Sequence, residues 1–323
     1  MLVAAQQPPP DDFTLRVEVR LVNLDVAVTD AEGNFIPTLS ARNFRLREDG
    51  VPQKLEHFAP TRAPVRVALL VEASPAVFLI RSDHIAAAYT LLTGLRPQDE
   101  AALLTYASTA RWEVDFTRDR QRVEHRLANL GRFGLGMAEI HLNDAVAQTL
   151  AWLSPPPQRT AVVVIGTGLD TGSQLPWAEL EPQVGAGQLT FFAVATGRLL
   201  RGDPEEKEKR KRARRDDPAA EIEATFAAAD ARLRRLAAAS AGQAYFPRSA
   251  EELDTIYSEI AERLRNLYSL GYYPTNRVRN SAYREIQVEL VDEAGEPLTL
   301  RDGHGNPIAY RVFARPGYFA PRD

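Results

Sequence analysis

Two stretches constrain the fold more than any others: "RVALLVEA" at residues 66–73 and "TAVVVIGT" at 160–167. Each is a nearly unbroken run of apolar residues, mostly β-branched in the second. A strand with one wet face alternates apolar and polar side chains, so a continuous run predicts a strand covered on both faces. That is the situation of a central strand in a parallel sheet. "QLTFFAVAT" (188–196) reads as a third such strand. Between and after these runs, "DHIAAAYTLLTGL", "DRQRVEHRLANL", "LNDAVAQTLAWL" and "EIEATFAAADARLRRLAAAS" carry helical periodicity. "AALLTYAS" and "RWEVDF" read as a strand pair, the second an antiparallel edge. Alternating strands and helices predict a doubly wound, mostly parallel α/β sheet over residues 63–268.

The flanks follow a different period. Residues 13–62 alternate apolar and polar, as in "LRVEVRL" and "VNLDVAV", with the phase slipping at Leu21–Val22, which suggests a bulge or a break. "DAEGN" and "EDG" are turn signals, and "NFRLREDGVPQKL" reads as a hairpin. Residues 269–323 return to β character in "YREIQVELVD", with "IAYRVFARPGYF" as a further strand. Each flank is about 50 residues, too few to bury a core alone. The expectation is one sandwich-like β unit built from both flanks, with the α/β unit inserted into it.

At 323 residues and a net charge of −4, the chain shows no global pull toward nucleic acid or anionic lipid. No apolar run reaches the roughly 20 residues a membrane span needs. With no cysteine there are no disulfides, thiolate nucleophiles or cysteine zinc sites. The start, "MLVAAQQPPPDDF", resembles the end of a secretory signal followed by a disordered segment. Residues 1–12 are therefore expected to be a tail or a signal-peptide remnant, apparently truncated. A plain disordered tail fits the same letters.

The middle of the chain resembles a von Willebrand factor type A domain. "VNLDVAVTDAEGNFIPTLSARNFRLREDGVPQKLEHF" before it, and "LYSLGYYP", "REIQVEL" and "ARPGYF" after it, extend the resemblance to nearly the whole chain. The chain is similar to the bacterial "VWFA-related" proteins best represented in acidobacteria. The family's typical site is a metal-ion-dependent adhesion motif. Asp-x-Ser-x-Ser follows the first strand, a Thr lies on a middle loop, and an Asp follows the fourth strand. Such oxygen ligands suit Mg²⁺ or Mn²⁺.

Here the resemblance implies a degenerate set. "EASPA" places Glu72 for the first Asp, keeps Ser74, stiffens the turn with Pro75 and loses a hydroxyl at Ala76. "GLGMAEIHLNDAV" (134–146) has no Thr and sets Ile140, beside Glu139, where one belongs. Thr167 stands where the second Asp would be. The expectation is no metal, with Glu72 and Ser74 as the ligands if one binds. Glu72 would then need another partner, such as an Arg, Asn143 or loop amides.

Other motifs offer little chemistry. "LDTGSQ" resembles an aspartic-protease loop around Asp170, but no second D-[ST]-G accompanies it. "GRFGLG" (131–136) does not follow a strand, so it makes a poor phosphate cradle. The five histidines form no i,i+4 pair. "RGDPEEKEKRKRARRDDP" (201–218) holds 8 basic and 6 acidic residues without interleaved aromatics, which reads as a solvated insertion rather than a nucleic-acid site. Tyr272, Tyr273, Tyr310, Tyr318 and Phe319 read as closing a small β core.

The sequence therefore predicts a non-enzymatic, secreted or periplasmic interaction or scaffold protein. Its contact face, toward an unknown protein partner, would hold Glu72, Ser74, Pro75, Ala76, Glu139, Ile140, Thr167 and Asp170. Two alternatives stay open: a metal-dependent adhesion module with an unusual ligand set, and a hydrolase using Asp170.

Overall fold

The structure, a computed structural model, describes residues 21–61, 64–75, 77, 81–130, 139–154, 159–186, 189–201 and 218–320. The tail at 1–12, Ala76, the loop at 131–138 and nearly all of the charged run at 201–218 lie outside the described residues.

The two apolar runs are neighbouring central strands. β5 (Arg66–Glu72) pairs in parallel with β8 (Thr160–Gly166) on one side and β6 (Glu100–Tyr106) on the other. β7 (Ala110–Thr117) closes one edge antiparallel to β6, while β9 (Leu189–Ala195) and the short β10 (Ala244–Tyr245) extend the other edge in parallel. The sheet order is β7-β6-β5-β8-β9-β10. Counted within this unit it is 3-2-1-4-5-6, a doubly wound order.

The missing alternation has a direct explanation. Val67, Leu69 and Val71 pack into a core with α1 (Arg81–Gly94), α2 (Arg120–Ala128) and α7 (Glu251–Arg265). Ala68 and Leu70 face the opposite core, with α3 (Leu142–Trp152), α4 (Trp177–Ala186) and α6 (Pro218–Ala239). A five-residue α5 (Gly197–Arg201) follows β9.

Both flanks contribute strands to each of two further four-stranded sheets. One has the order β15-β1-β11-β4, from β1 (Val22–Asp30), β4 (Leu55–Thr61), β11 (Leu267–Tyr272) and β15 (Tyr310–Phe313). The other is β16-β12-β2-β3, from β2 (Phe44–Glu48), β3 (Val51–Gln53), β12 (Tyr283–Leu290) and β16 (Gly317–Phe319). They share a core of Leu24, Val26, Val28, Phe44, Leu46, Tyr268, Leu270, Ile286 and Leu290. Tyr268 is its hub: its ring packs on Phe35, Phe44 and Phe58, and its hydroxyl donates to the Ile36 carbonyl at 2.5 Å. A small hairpin of β13 (Leu300–Arg301) and β14 (Pro307–Ile308) completes the β elements.

The β2–β3 hairpin turns on Asp49 and Gly50, both at positive φ (48° and 77°), as a two-residue hairpin requires. "IAYRVFARPGYF" is not one strand. It breaks at Arg315–Pro316, and β15 and β16 enter opposite sheets. Pro316 lacks the amide needed to continue a ladder, and its carbonyl instead accepts from Ile286 N at 2.7 Å. Tyr272 is fully buried, whereas Tyr273 and Phe319 are exposed, so only part of the expected aromatic group is core.

Candidate functional site

The carboxyl ends of β5, β6 and β8 converge where the sheet order reverses, which is where open α/β sheets place ligands. Glu72 ends β5 and is 4% exposed. Its Oε1 accepts from Ser74 Oγ at 2.5 Å; its Oε2 accepts from Thr167 N at 2.5 Å and Thr167 Oγ1 at 2.8 Å. The Tyr106 hydroxyl, at the end of β6, lies beside the same carboxylate. Burial pushes the Glu72 carboxyl above the ordinary glutamate value, and the hydrogen bonds from Ser74 and Thr167 offset this only in part. Tyr106 is raised well above the ordinary phenol value, first by burial and then by the charges of Glu72 and Asp170.

Gly166 explains why three strand ends can meet so closely. A Cβ there would lie 2.6 Å from Glu72 Oε2 and 2.8 Å from Glu72 Cβ. The glycine is the space the carboxylate occupies.

A second network lies beside the first. α3 has His141 at its N-cap, and that side chain provides no cap hydrogen bond. Its first amides are satisfied from the loop at 168–175 instead: Asn143 N donates to Asp170 Oδ2 at 2.8 Å, and Asp144 N to Ser173 Oγ at 3.2 Å. Asp170 also accepts from Ser173 Oγ at 2.5 Å and Ser173 N at 3.1 Å. Asp144 returns the favour, accepting from Gln174 N at 2.9 Å and Leu175 N at 2.8 Å. Thr171 N donates to the Ile140 carbonyl, and Ile140 N to Thr171 Oγ1. Carboxylates at a helix N-terminus are also favoured by the helix dipole.

The eight residues expected on the contact face do not share one surface. Glu72, Ser74, Ile140 and Thr167 are buried, so they underlie the face. Pro75 and Asp170 are half-buried, Glu139 is 70% exposed in its side chain, and Ala76 is outside the described residues. Among the described residues neither an Arg nor Asn143 meets Glu72; the Asn143 amide group donates to the Leu175 carbonyl. Sequence reasoning missed Tyr106, Asp144, Thr171 and Ser173. Tyr106 ending an apolar run was the one local signal, since a phenol there had to reach the strand ends. Among the described residues, no three His, Asp or Glu side chains are grouped so as to hold a metal ion.

No known family's profile matches the chain, and no protein of curated function matches it. Solved structures do. The chain is similar to BatB, a conserved hypothetical protein from Bacteroides thetaiotaomicron, at 16% identity over 62% of this chain and 98% of that one, with a TM-score of 0.41. It is similar to a von Willebrand factor type A protein from Catenulispora acidiphila at 11% identity over 94% and 75%, TM-score 0.47. It is also similar to the pilus adhesin SpaC from Lactobacillus rhamnosus GG at 8% identity over 86% and 48%, TM-score 0.45. The inserted unit is, on its own topology, a doubly wound α/β sheet with helices packed on both faces. β5 is the first strand of this unit and β8 the fourth, so Glu72 and Thr167 stand at the two strand ends where the sequence resemblance leads one to expect carboxylates.

Proposed function

We propose that the chain is a non-enzymatic protein-interaction module of the bacterial envelope, secreted or periplasmic, whose type A face works without a metal. In this reading residues 63–268 form the binding unit, and 13–62 with 269–323 form its β-sandwich support. The observation that carries it is the state of Glu72. Both of its oxygens accept hydrogen bonds from the chain's own Ser74 and Thr167. A divalent ion wants several hard oxygens in an open, near-octahedral arrangement. The residues present fit that poorly: the carboxylate is 4% exposed, a Thr hydroxyl takes the place of the second acid, and among the described residues no three His, Asp or Glu side chains are grouped there.

The contact surface then consists of the groups above this floor: Glu139, Thr171 and Gln174, all exposed, on the loops that the Asp144 and Asp170 hydrogen bonds hold in place. Preformed loops lower the ordering cost of binding. Asp170 is a poor candidate acid for hydrolysis, because both its oxygens already cap the start of α3 and its own loop.

Crosslinking and pull-down from the native envelope test the proposal, comparing the wild type with Glu139→Ala/Gln174→Ala. A partner captured by the wild type in EDTA and lost by the variant supports it. Capture that needs Mg²⁺, or that survives the double change, counts against it.

A further inference from the structure

The chain passes between the β sandwich and the type A unit twice, and both crossings are short. β4 leads to β5 through residues 62–65, and α7 leads to β11 through Asn266 alone. The strands at the two crossings, β4 and β11, are themselves paired, with Thr61 opposite Leu267. Two arginines of the type A unit then reach across.

Arg159 immediately precedes β8. Its Nε lies 3.2 Å from Asp25 Oδ2 on β1, its Nη2 donates to the Leu264 carbonyl at 2.8 Å, and its own carbonyl accepts from Arg66 N at the start of β5. Arg263, on α7, is 3% exposed. On its own side it donates to Gln243 Oε1 at 2.9 Å and to the Ala241 carbonyl, and its guanidinium stacks 3.8 Å from the centre of the Phe313 ring on β15. Arg315 reinforces the sandwich side, donating to the Asn23 carbonyl at 3.0 Å. In the turn that follows β1, Gly33 (φ 90°) sits so close to Glu259 of α7 that a Cβ there would lie 3.0 Å from it.

Units joined within a chain by a small polar interface move relative to one another by default. Here Arg263 is buried, the Arg159 side chain is 13% exposed, Asp25 and Phe313 are half-buried, and the Arg159–Asp25 contact is charge-assisted; a largely desolvated guanidinium on an aromatic face is among the stronger such contacts. We infer that the sandwich and the type A unit form one rigid, cooperatively unfolding body, locked at the Arg159–Asp25 and Arg263–Phe313 contacts. The orientation of the type A face relative to the sandwich is therefore fixed. The two central strands, β5 and β8, run directly from the locked seam to Glu72 and Thr167.

All three tryptophans (Trp112, Trp152, Trp177) lie in the type A unit, so their fluorescence reports on that unit alone. The chain has no cysteine, so a single Glu293→Cys substitution on the exposed β12 turn carries a dye that reports on the sandwich. Urea unfolding of the full chain is followed by both probes in the labelled parent and in Asp25→Asn/Phe313→Ala. These changes remove the seam contacts from the sandwich side and leave the arginines' contacts within the type A unit in place. The expected result is one coincident transition in the parent and two separated transitions in the variant, with the sandwich unfolding first. Separate transitions in the parent, or coincident ones in the variant, overturn the inference. Hydrogen exchange gives the same decision independently: amides of β12 lose protection in the variant while those of β8 keep theirs.

Discussion

Replacing Glu72 separates a structural carboxylate from a ligand carboxylate. Glu72→Ala removes the acceptor for three donors: Ser74 Oγ, Thr167 N and Thr167 Oγ1. The two hydroxyls can rotate toward other acceptors, but the Thr167 amide cannot, and a buried donor left unsatisfied costs about 1–3 kcal/mol. One methylene, Cγ, loses burial as well, at about 0.8 kcal/mol. Against this, a buried carboxylate no longer has to be kept ionised away from water. The net loss is about 1–3 kcal/mol. For a chain of this size, at about 2 °C per kcal/mol, the thermal midpoint falls by about 2–6 °C. Glu72→Gln keeps the volume and an acceptor for the Thr167 amide while removing the charge, so its midpoint should equal or exceed that of the wild type at pH 7. Differential scanning calorimetry of the three proteins, without added metal, decides between these outcomes. If Gln proves as damaging as Ala, the charge itself is needed and the closed, hydroxyl-capped picture of Glu72 is wrong.

Three further outcomes follow from the same geometry. Burial raises the Glu72 carboxyl, and it raises Asp25 despite the attraction of Arg159 and Arg315, so both bind protons more tightly when folded. Stability from these two groups is therefore greatest below the ordinary carboxylate range and falls as pH rises through their raised values. Urea midpoints between pH 4 and 8 should show this slope, and Glu72→Gln should flatten it. Gly166→Ala drives a methyl group into Glu72 and should cost about 1–3 kcal/mol, read as a lower urea midpoint. Ala241, at φ 64° just past α6, occupies a left-handed position that favours glycine; Ala241→Gly should stabilise the fold by about 1 kcal/mol in the same assay.

The sheet was legible because burial on both faces leaves a continuous run, and "RVALLVEA" and "TAVVVIGT" could hardly be anything else. α7 was harder. "EELDTIYSEIAERLR" is charged along much of its length, yet Leu253, Ile256, Tyr257, Ile260 and Leu264 form one buried stripe. α4 carries Pro182 and β10 has only two residues, so neither gives a strong local signal. The break in "IAYRVFARPGYF" depends on which sheet each half joins, which is a tertiary matter. At the site, the positions of Glu72 and Thr167 could be placed, but not their bond. The partners are 95 residues apart, and only the parallel register of β5 and β8 brings them together. Depth was likewise hidden: nothing local says that Ser74 and Ile140 lie beneath the face while Glu139 stands on it.

The central claim is that this type A face needs no metal, and thermal melts in Mg²⁺, Mn²⁺ and EDTA test it most directly, because a ligand that favours the folded state raises the midpoint. The account predicts superimposable melts for the wild type in all three. A midpoint that rises with Mg²⁺ or Mn²⁺, and does so no longer in Glu72→Gln, would contradict it.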